Sequence, residues 1–407
     1  MAPRPDPRDP VPRTPPDEPV PGAADPLGTP GAPGSPGPLG MHGPRDAREP
    51  HEPHEPREAS GSYVAPGPYE ASGSYVAPGP YEASGSYVAP GPGEAQAARD
   101  PLAALAPRLP SPLQEVADER FSRHGVRLLL KRDDLIHPAL PGNKWRKLAP
   151  NLRAVAETGH RRLLTFGGAY SNHLRATAAA GRLLGLRTVG VVRGEELADR
   201  PLNPSLARCA RDGMLLHFVS RSDYRHRGEP AFHEALRARF GDCLVVPEGG
   251  SNAAAVRECA LLGEELRGHT DVAAVACGTG GTLAGMAAGL SPGQRGIGVA
   301  VLKGGFLPGE VRGLQREAFG GARGRWQVEE RFHGGGYAKV SGRLADFAAD
   351  FAERHALPPL DVVYVGKLLF ALVHLAAEGT FREGSTVTAV VTGRAWSPDD
   401  AHDDDGE

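Results

Sequence analysis

From about residue 102 to 393, short runs rich in leucine and β-branched residues alternate with alanine-rich stretches of helical period. The apolar runs Leu163–Phe166, Thr188–Val192, Leu215–Val219, Cys243–Val246, Val272–Cys277, Gly296–Leu302 and Thr386–Val391 predict strands. Helical patterns such as Asn172–Leu184 and Asn203–Asp212 lie between most of them. Strands apolar on both faces and separated by helices make parallel sheets covered on each side, so the expected class is α/β. Roughly 290 residues in this rhythm are enough for two lobes around a cleft. Ligands of such sheets collect beyond the carboxyl ends of strands, which directs attention to the loops that follow each run.

Before Leu102 no apolar period of 2 or 3.6 residues is sustained, and 24 of the 40 prolines precede Asp100. Such a segment cannot bury enough surface to offset its ordering entropy, so residues 1–101 are expected to be a disordered Pro/Gly-rich extension. Within it a twelve-residue unit, EASGSYVAPGPY, runs from Glu58, repeats from Glu70 and recurs from Glu82 to Gly93. Its Pro-Gly-Pro punctuation reads as a tether rather than a solenoid. The histidines of HEPHEPRE read as solvated linker rather than a metal site.

Net charge is −3, so no basic field points to nucleic acid or an anionic membrane, and a small molecule is the expected partner. Cys209, Cys243, Cys259 and Cys277 stand singly without a CxxC, which argues against a zinc site and a disulfide framework and fits a reducing compartment. MAPRPDPRDP lacks the apolar core of a secretory signal, and no apolar stretch approaches the ~18 residues of a membrane span. The expected location is the cytoplasm.

Three loops could carry chemistry. CGTGGTLAG, Cys277–Gly285, follows a strand and opens a helix; its glycines let backbone N–H groups converge at a helix amino terminus, which suits a phosphate. It lacks the Gly-Lys-Ser/Thr of a P-loop, and Leu283 stands where a dinucleotide fingerprint needs glycine. A tight turn without ligand is the competing reading. FGGAYSNH, Phe166–His173, also joins strand to helix; Ser171 and Asn172 could receive a carboxylate, or could only cap the helix. In PGNKWRK, Lys144 is either a solvated cation or, in a cleft beside Gly142 and Trp145, a desolvated nucleophilic amine. An amine, a phosphate cup and a carboxylate site together are the anchors expected for pyridoxal 5'-phosphate (PLP) and an amino-acid substrate.

KRDDLIHPALPGNKWRKL, TFGGAYSNHLRATAAAG, PEGGSN, GTGGTLAG, FHGGGYAKV and VYVGKLLFAL resemble, in order and spacing, the PLP enzymes grouped as 1-aminocyclopropane-1-carboxylate deaminases and D-cysteine desulfhydrases. The resemblance covers about Leu102 to Gly393. It implies a two-lobed fold of the tryptophan-synthase-β type (fold type II), with a large PLP-binding lobe at 102–147 and 246–393, a small lobe at 148–245 and an acidic tail at 394–407. It also implies a homodimer. The family's cofactor-binding lysine falls on Lys144, and Lys147 matches a lysine near the cofactor phosphate. Asn172 matches the partner of the ring oxygen, and Ser171, Asn172 and His173 match the loop that holds the substrate carboxylate. Thr279, Gly280, Gly281 and Thr282 match the phosphate cup. Tyr337 and Tyr364 match two tyrosines facing the substrate; Ser171 and these tyrosines join Lys144 as candidate catalytic residues.

Two positions depart from the family pattern. Val365 stands where the deaminases carry glutamate and desulfhydrase-like members threonine, which leaves Thr392 of VVTG as the candidate partner of the pyridine nitrogen. Arg394 stands where relatives continue with glycine. A weaker electron sink disfavours opening a cyclopropane ring more than loss of sulfide, so the expected activity is D-cysteine desulfhydrase-like. The deaminase, a catalytically silent PLP-binding protein and an eliminating enzyme for serine or threonine are the alternatives.

Overall fold

A computed structural model describes residues 102–140 and 142–393. The tandem repeats, the histidine run, Arg394 and the acidic tail lie outside the described residues. In chain order the elements are β1 (Leu113–Val116), α1 (Glu119–Ser122), β2 (Arg127–Lys131), α2 (Asn143–Thr158), β3 (Arg162–Gly167), α3 (Asn172–Leu184), β4 (Arg187–Arg193), α4 (Pro204–Arg211), β5 (Met214–Val219), α5 (Pro230–Phe240) and β6 (Leu244–Val246). There follow α6 (Ala253–Glu258), α7 (Ala260–Glu265), β7 (Val272–Cys277), α8 (Gly281–Gly289), β8 (Arg295–Ala300), α9 (Leu307–Phe319), β9 (Trp326–Glu329), α10 (Gly342–Arg354), α11 (Val365–Ala377) and β10 (Thr386–Val390).

Two sheets result, in the strand orders β1-β2-β10-β7-β8-β9 and β5-β4-β3-β6. Among the described residues every pairing is parallel except β1 with β2. The class is α/β, as the apolar runs imply. Strand β7 shows why these sheets need cover on both faces. Val272, Ala274 and Ala276 enter one core, with α11 residues Leu368, Leu369 and Leu372. The alternate residues Ala273, Val275 and Cys277 enter a second, with Leu283, Ala284 and Met286 of α8. A strand with no polar face can only sit between two layers. The apolar runs do not announce β1, β2 or β9.

Beneath α2 lies a buried ion network. The Arg146 guanidinium donates to both carboxylate oxygens of Asp133 (Nε 2.9 Å, Nη2 2.8 Å) and both of Glu265 (2.9 Å each). Lys131 Nζ lies 2.7 Å from Glu265. This network ties the helix that carries Lys144 and Lys147 to the six-stranded sheet and to α7. Arg146→Ala would leave Asp133, fully buried, without its counter-ion. A loss of about 3–5 kcal/mol is expected in denaturant unfolding; a loss under ~1 kcal/mol would show that the network does not hold the helix.

Candidate active site

The start of α2 is fixed by backbone geometry. Gly142 caps the helix at φ +69°, and a Cβ built there would lie 1.6 Å from the carbonyl oxygen of Thr392. Only glycine meets both conditions. The segment just beyond β10 therefore seats directly on the turn that presents Lys144. Asn143 Nδ2 donates to Thr282 Oγ1 at 2.9 Å, which joins this turn to the first turn of α8.

One helical turn separates Lys144 from Lys147, so both project on the same side of α2. They line a cavity of about 380 Å³ together with Ser171, Asn172, His173, Thr279, Gly280, Thr282, Tyr337 and Tyr364. Ten of the twelve residues singled out by the sequence thus meet in one space. Gly281 and Thr392 do not line it. Gly281 is packed behind, where a Cβ would stand 2.6 Å from Ser251 Oγ. Thr392 presents its carbonyl to Gly142 instead.

Lys147 is 3% exposed, and its ammonium donates to Ser251 Oγ (2.7 Å), Gly249 O (3.1 Å) and Thr279 Oγ1 (3.2 Å). All three partners are neutral. Burial pushes its pKa down, and no carboxylate opposes that. Beside it α8 begins, with Gly280 as N-cap at φ +79°. A buried cation among neutral acceptors at a helix amino terminus is the electrostatic complement of an anion. Ser251, in PEGGSN, completes this cup with Thr279, whose hydroxyl lies 2.7 Å away. The motif quoted in the sequence contained Ser251, but only the fold shows that its hydroxyl meets Lys147.

Lys144 is partly accessible and lines the cavity. Its pKa is pushed down to about 7, first by desolvation and then by the charge of Lys147. Above pH ~7 the amine is neutral and nucleophilic. In the unfolded chain it returns to the ordinary 10.5. Between about 7 and 10.5 the unfolded chain therefore binds more protons, and the stability contributed at this site rises with pH. Thermal unfolding of cofactor-free protein should show wild type gaining on Lys144→Met as pH rises through that window. Parallel profiles would contradict the assignment.

Ser171 is the N-cap of α3, its Oγ accepting from Leu174 N at 3.3 Å, so the capping reading holds while the residue also faces the cavity. Asn172 Nδ2 donates to Asp361 Oδ2 at 3.2 Å, and its Oδ1 accepts from Arg175. Asp361 also accepts from the backbone N–H groups of Val363 (2.8 Å) and Tyr364 (3.2 Å). This carboxylate orients Asn172 and Tyr364 at once, and sequence reasoning missed it. Its only signal is an isolated acid just before VYVGK. The hydroxyl of Thr165 gives its proton to Val246 O (2.9 Å), so it accepts from His173 Nε2 at 2.8 Å and leaves His173 Nδ1 as a bare acceptor. Burial, reinforced by Lys144 and Lys147, holds His173 neutral, its pKa well below 6.5.

Tyr337 and Tyr364 meet edge to face with centroids 6.2 Å apart, and Tyr337 donates to Tyr170 O at 3.3 Å. Burial raises the pKa of each, so both phenols keep their protons at neutral pH. Val365, fully buried, enters the apolar core beneath α11 and does not line the cavity.

Residues 107–393 match the model of the family described as pyridoxal-phosphate dependent enzymes. The chain belongs to this family. A Pyrococcus horikoshii protein provisionally named a 1-aminocyclopropane-1-carboxylate deaminase is 30% identical over 277 residues, 64% of this chain and 82% of its own length. The Arabidopsis thaliana bifunctional D-cysteine desulfhydrase/1-aminocyclopropane-1-carboxylate deaminase, a mitochondrial protein, is 28% identical over 66% of this chain and 73% of its own. Among solved structures, an aminocyclopropane-carboxylate deaminase homologue aligns with a TM-score of 0.61 at 27% identity, covering 72% of this chain and 94% of the other. The site fits the family's cofactor: Lys147, Ser251, Thr279 and the α8 amino terminus suit its phosphate, and the neutral amine of Lys144 suits its aldehyde. Among the described residues no helix is long and apolar enough to cross a membrane.

Proposed function

We propose that the chain is a PLP-dependent lyase that converts D-cysteine and water to pyruvate, hydrogen sulfide and ammonia. The observation that supports a PLP enzyme is the placing of Lys144 beside Lys147, a buried ammonium with only neutral partners, in one cavity. The bound cofactor supplies an electron sink conjugated to the substrate α-carbon. The rest is done by side chains. Lys147 and the start of α8 hold the phosphate. Ser171 and the amino terminus of α3 receive the substrate carboxylate, and Asn172, held by Asp361 and Arg175, fixes the ring. Lys144, neutral above pH ~7, takes the α-proton. Tyr337, protonated and 6.2 Å from Tyr364 between ring centres, donates a proton to the departing sulfur.

The choice of D-cysteine over the cyclopropane amino acid rests on position 365. A valine there sits in the apolar core and brings no carboxylate to the ring nitrogen. Sulfide leaves more readily than a ring carbon, so it tolerates the weaker sink. The relatives' names keep 1-aminocyclopropane-1-carboxylate, giving 2-oxobutyrate and ammonia, as the second reading. An assay of keto acid, ammonia and sulfide across D- and L-amino acids, including the cyclopropane compound, tests both. Pyruvate and sulfide from D-cysteine are expected; 2-oxobutyrate as the main product would replace the first reading with the second, and no product from any substrate would remove both.

A further inference from the structure

Lys367 lies one turn beyond Tyr364 on α11, and its side chain is fully buried. Its Nζ donates to the backbone carbonyls of His333 (2.7 Å), Gly336 (2.9 Å) and Val301 (3.5 Å). No carboxylate is among these partners; Asp361 acts on it only through space. Burying an ammonium without a bonded counter-ion is costly, and such a group persists when it is used.

What it touches is informative. Gly336 immediately precedes Tyr337, and Val301 immediately precedes Leu302; both followers line the cavity. The segment between His333 and Tyr337 is a glycine loop with φ of +66° at Gly334, +93° at Gly335 and +131° at Gly336. Left-handed backbone of this kind forms no regular ladder; Gly336 N–H donates to His333 O (3.1 Å) and Lys339 N–H to Gly336 O (3.3 Å), and Lys367 adds a second, charged donor to the free lone pair of each carbonyl. A compact ammonium with three rotatable donors can serve three convergent carbonyls, which a planar guanidinium cannot.

We propose that Lys367 acts as a built-in cation that organises the Gly334–Gly336 loop, and that it is a positioning residue for Tyr337. It touches neither cavity nor ligand. By gathering carbonyls from the loop and from the end of β8 onto α11, it sets Tyr337 against Tyr364 at their observed edge-to-face distance.

The test uses the full-length holoprotein and hydrogen exchange, which needs no substrate and is therefore independent of the D-cysteine reading. In Lys367→Ala, backbone exchange over 332–340 is expected to rise roughly tenfold or more, with little change in β7 or β10. Propylammonium chloride, which restores the missing chain and its N–H donors, is expected to return most of the protection. Tetramethylammonium chloride, equal in charge but without donors, is expected to leave exchange high. Unchanged exchange in the loop overturns the proposal, as does an increase spread across the whole domain that propylammonium does not reverse. Should Lys367→Ala fail to fold, Lys367→Met keeps the length without the charge. It is expected to show the same local rise, and wild-type exchange at 332–340 in that variant would also overturn the proposal.

Discussion

Lys144→Ala is expected to lose turnover and, with it, the covalent hold on the cofactor. Removing a positioned base alone costs about 10²–10⁴ in rate, and here the same amine is also the group suited to the cofactor's aldehyde. Borohydride reduction of wild-type holoprotein followed by peptide mapping should place the label on residue 144, and the variant should take up none. Label on Lys147 or Lys367 instead would reassign the chemistry. Both are credible rivals by burial, but their ammonium groups are committed to acceptors: Lys147 to Gly249, Ser251 and Thr279, Lys367 to three carbonyls. Among the described residues, the only hydrogen bond of the Lys144 ammonium is to the side chain of its neighbour Asn143, at 3.3 Å. It is the lysine of the three that is free to react.

Lys147→Met is expected to act with opposite signs on binding and on stability. With phosphate in place, the ammonium would form a desolvated, charge-assisted pair, and removing one partner of such a pair costs about 2–5 kcal/mol. Titration of cofactor-free protein with PLP should therefore show affinity lower by about 30-fold or more. Without cofactor, the same ammonium is buried among neutral groups. A methionine of similar length removes that burden, so the cofactor-free variant is expected to unfold at the same temperature as wild type or higher. Lys147 is also the second cause of the depressed Lys144 pKa, so in the variant the Lys144 pKa should move up from about 7. A variant that lost stability and affinity together would mark Lys147 as a structural residue rather than an anion anchor.

These residues also show what the sequence could and could not reveal. Helix α3 and strand β7 are found with the limits their patterns predict, Asn172–Leu184 and Val272–Cys277. Strand β7 is apolar along its whole run, which only a strand covered on both faces can host, and α3 carries its buried residues Leu174, Ala178 and Gly181 at helical spacing behind the Ser171 cap. Strand β1, Leu-Gln-Glu-Val, pairs on one side only and mixes its faces; β9, Trp-Gln-Val-Glu, closes the other edge. An edge strand has half the burial of a central one, so its pattern is faint. At the site, Lys144, Lys147 and the glycine turn at 278–281 are visible as motifs because glycine next to chemistry is a local signature. The neutral surroundings of Lys147, the carboxylate of Asp361 and the carbonyl cage of Lys367 are tertiary facts. They arise from groups more than 30 residues apart, as with Asp361 and Asn172 or Lys367 and His333, and no local pattern encodes them. Thr392 illustrates the same limit: its place at the end of β10 was legible, but not that its carbonyl would face Gly142.

The six-stranded sheet places its final strand, β10, third in order between β2 and β7. During synthesis, every strand of the four-stranded sheet has left the ribosome once Val246 emerges, more than a hundred residues before Thr386. The other sheet stays split until β10 arrives to join its halves and to seat the Gly142 turn. A nascent chain stalled short of Thr386 would thus expose two open sheet edges around a half-built cleft, so the cofactor site is completed only when β10 inserts between β2 and β7.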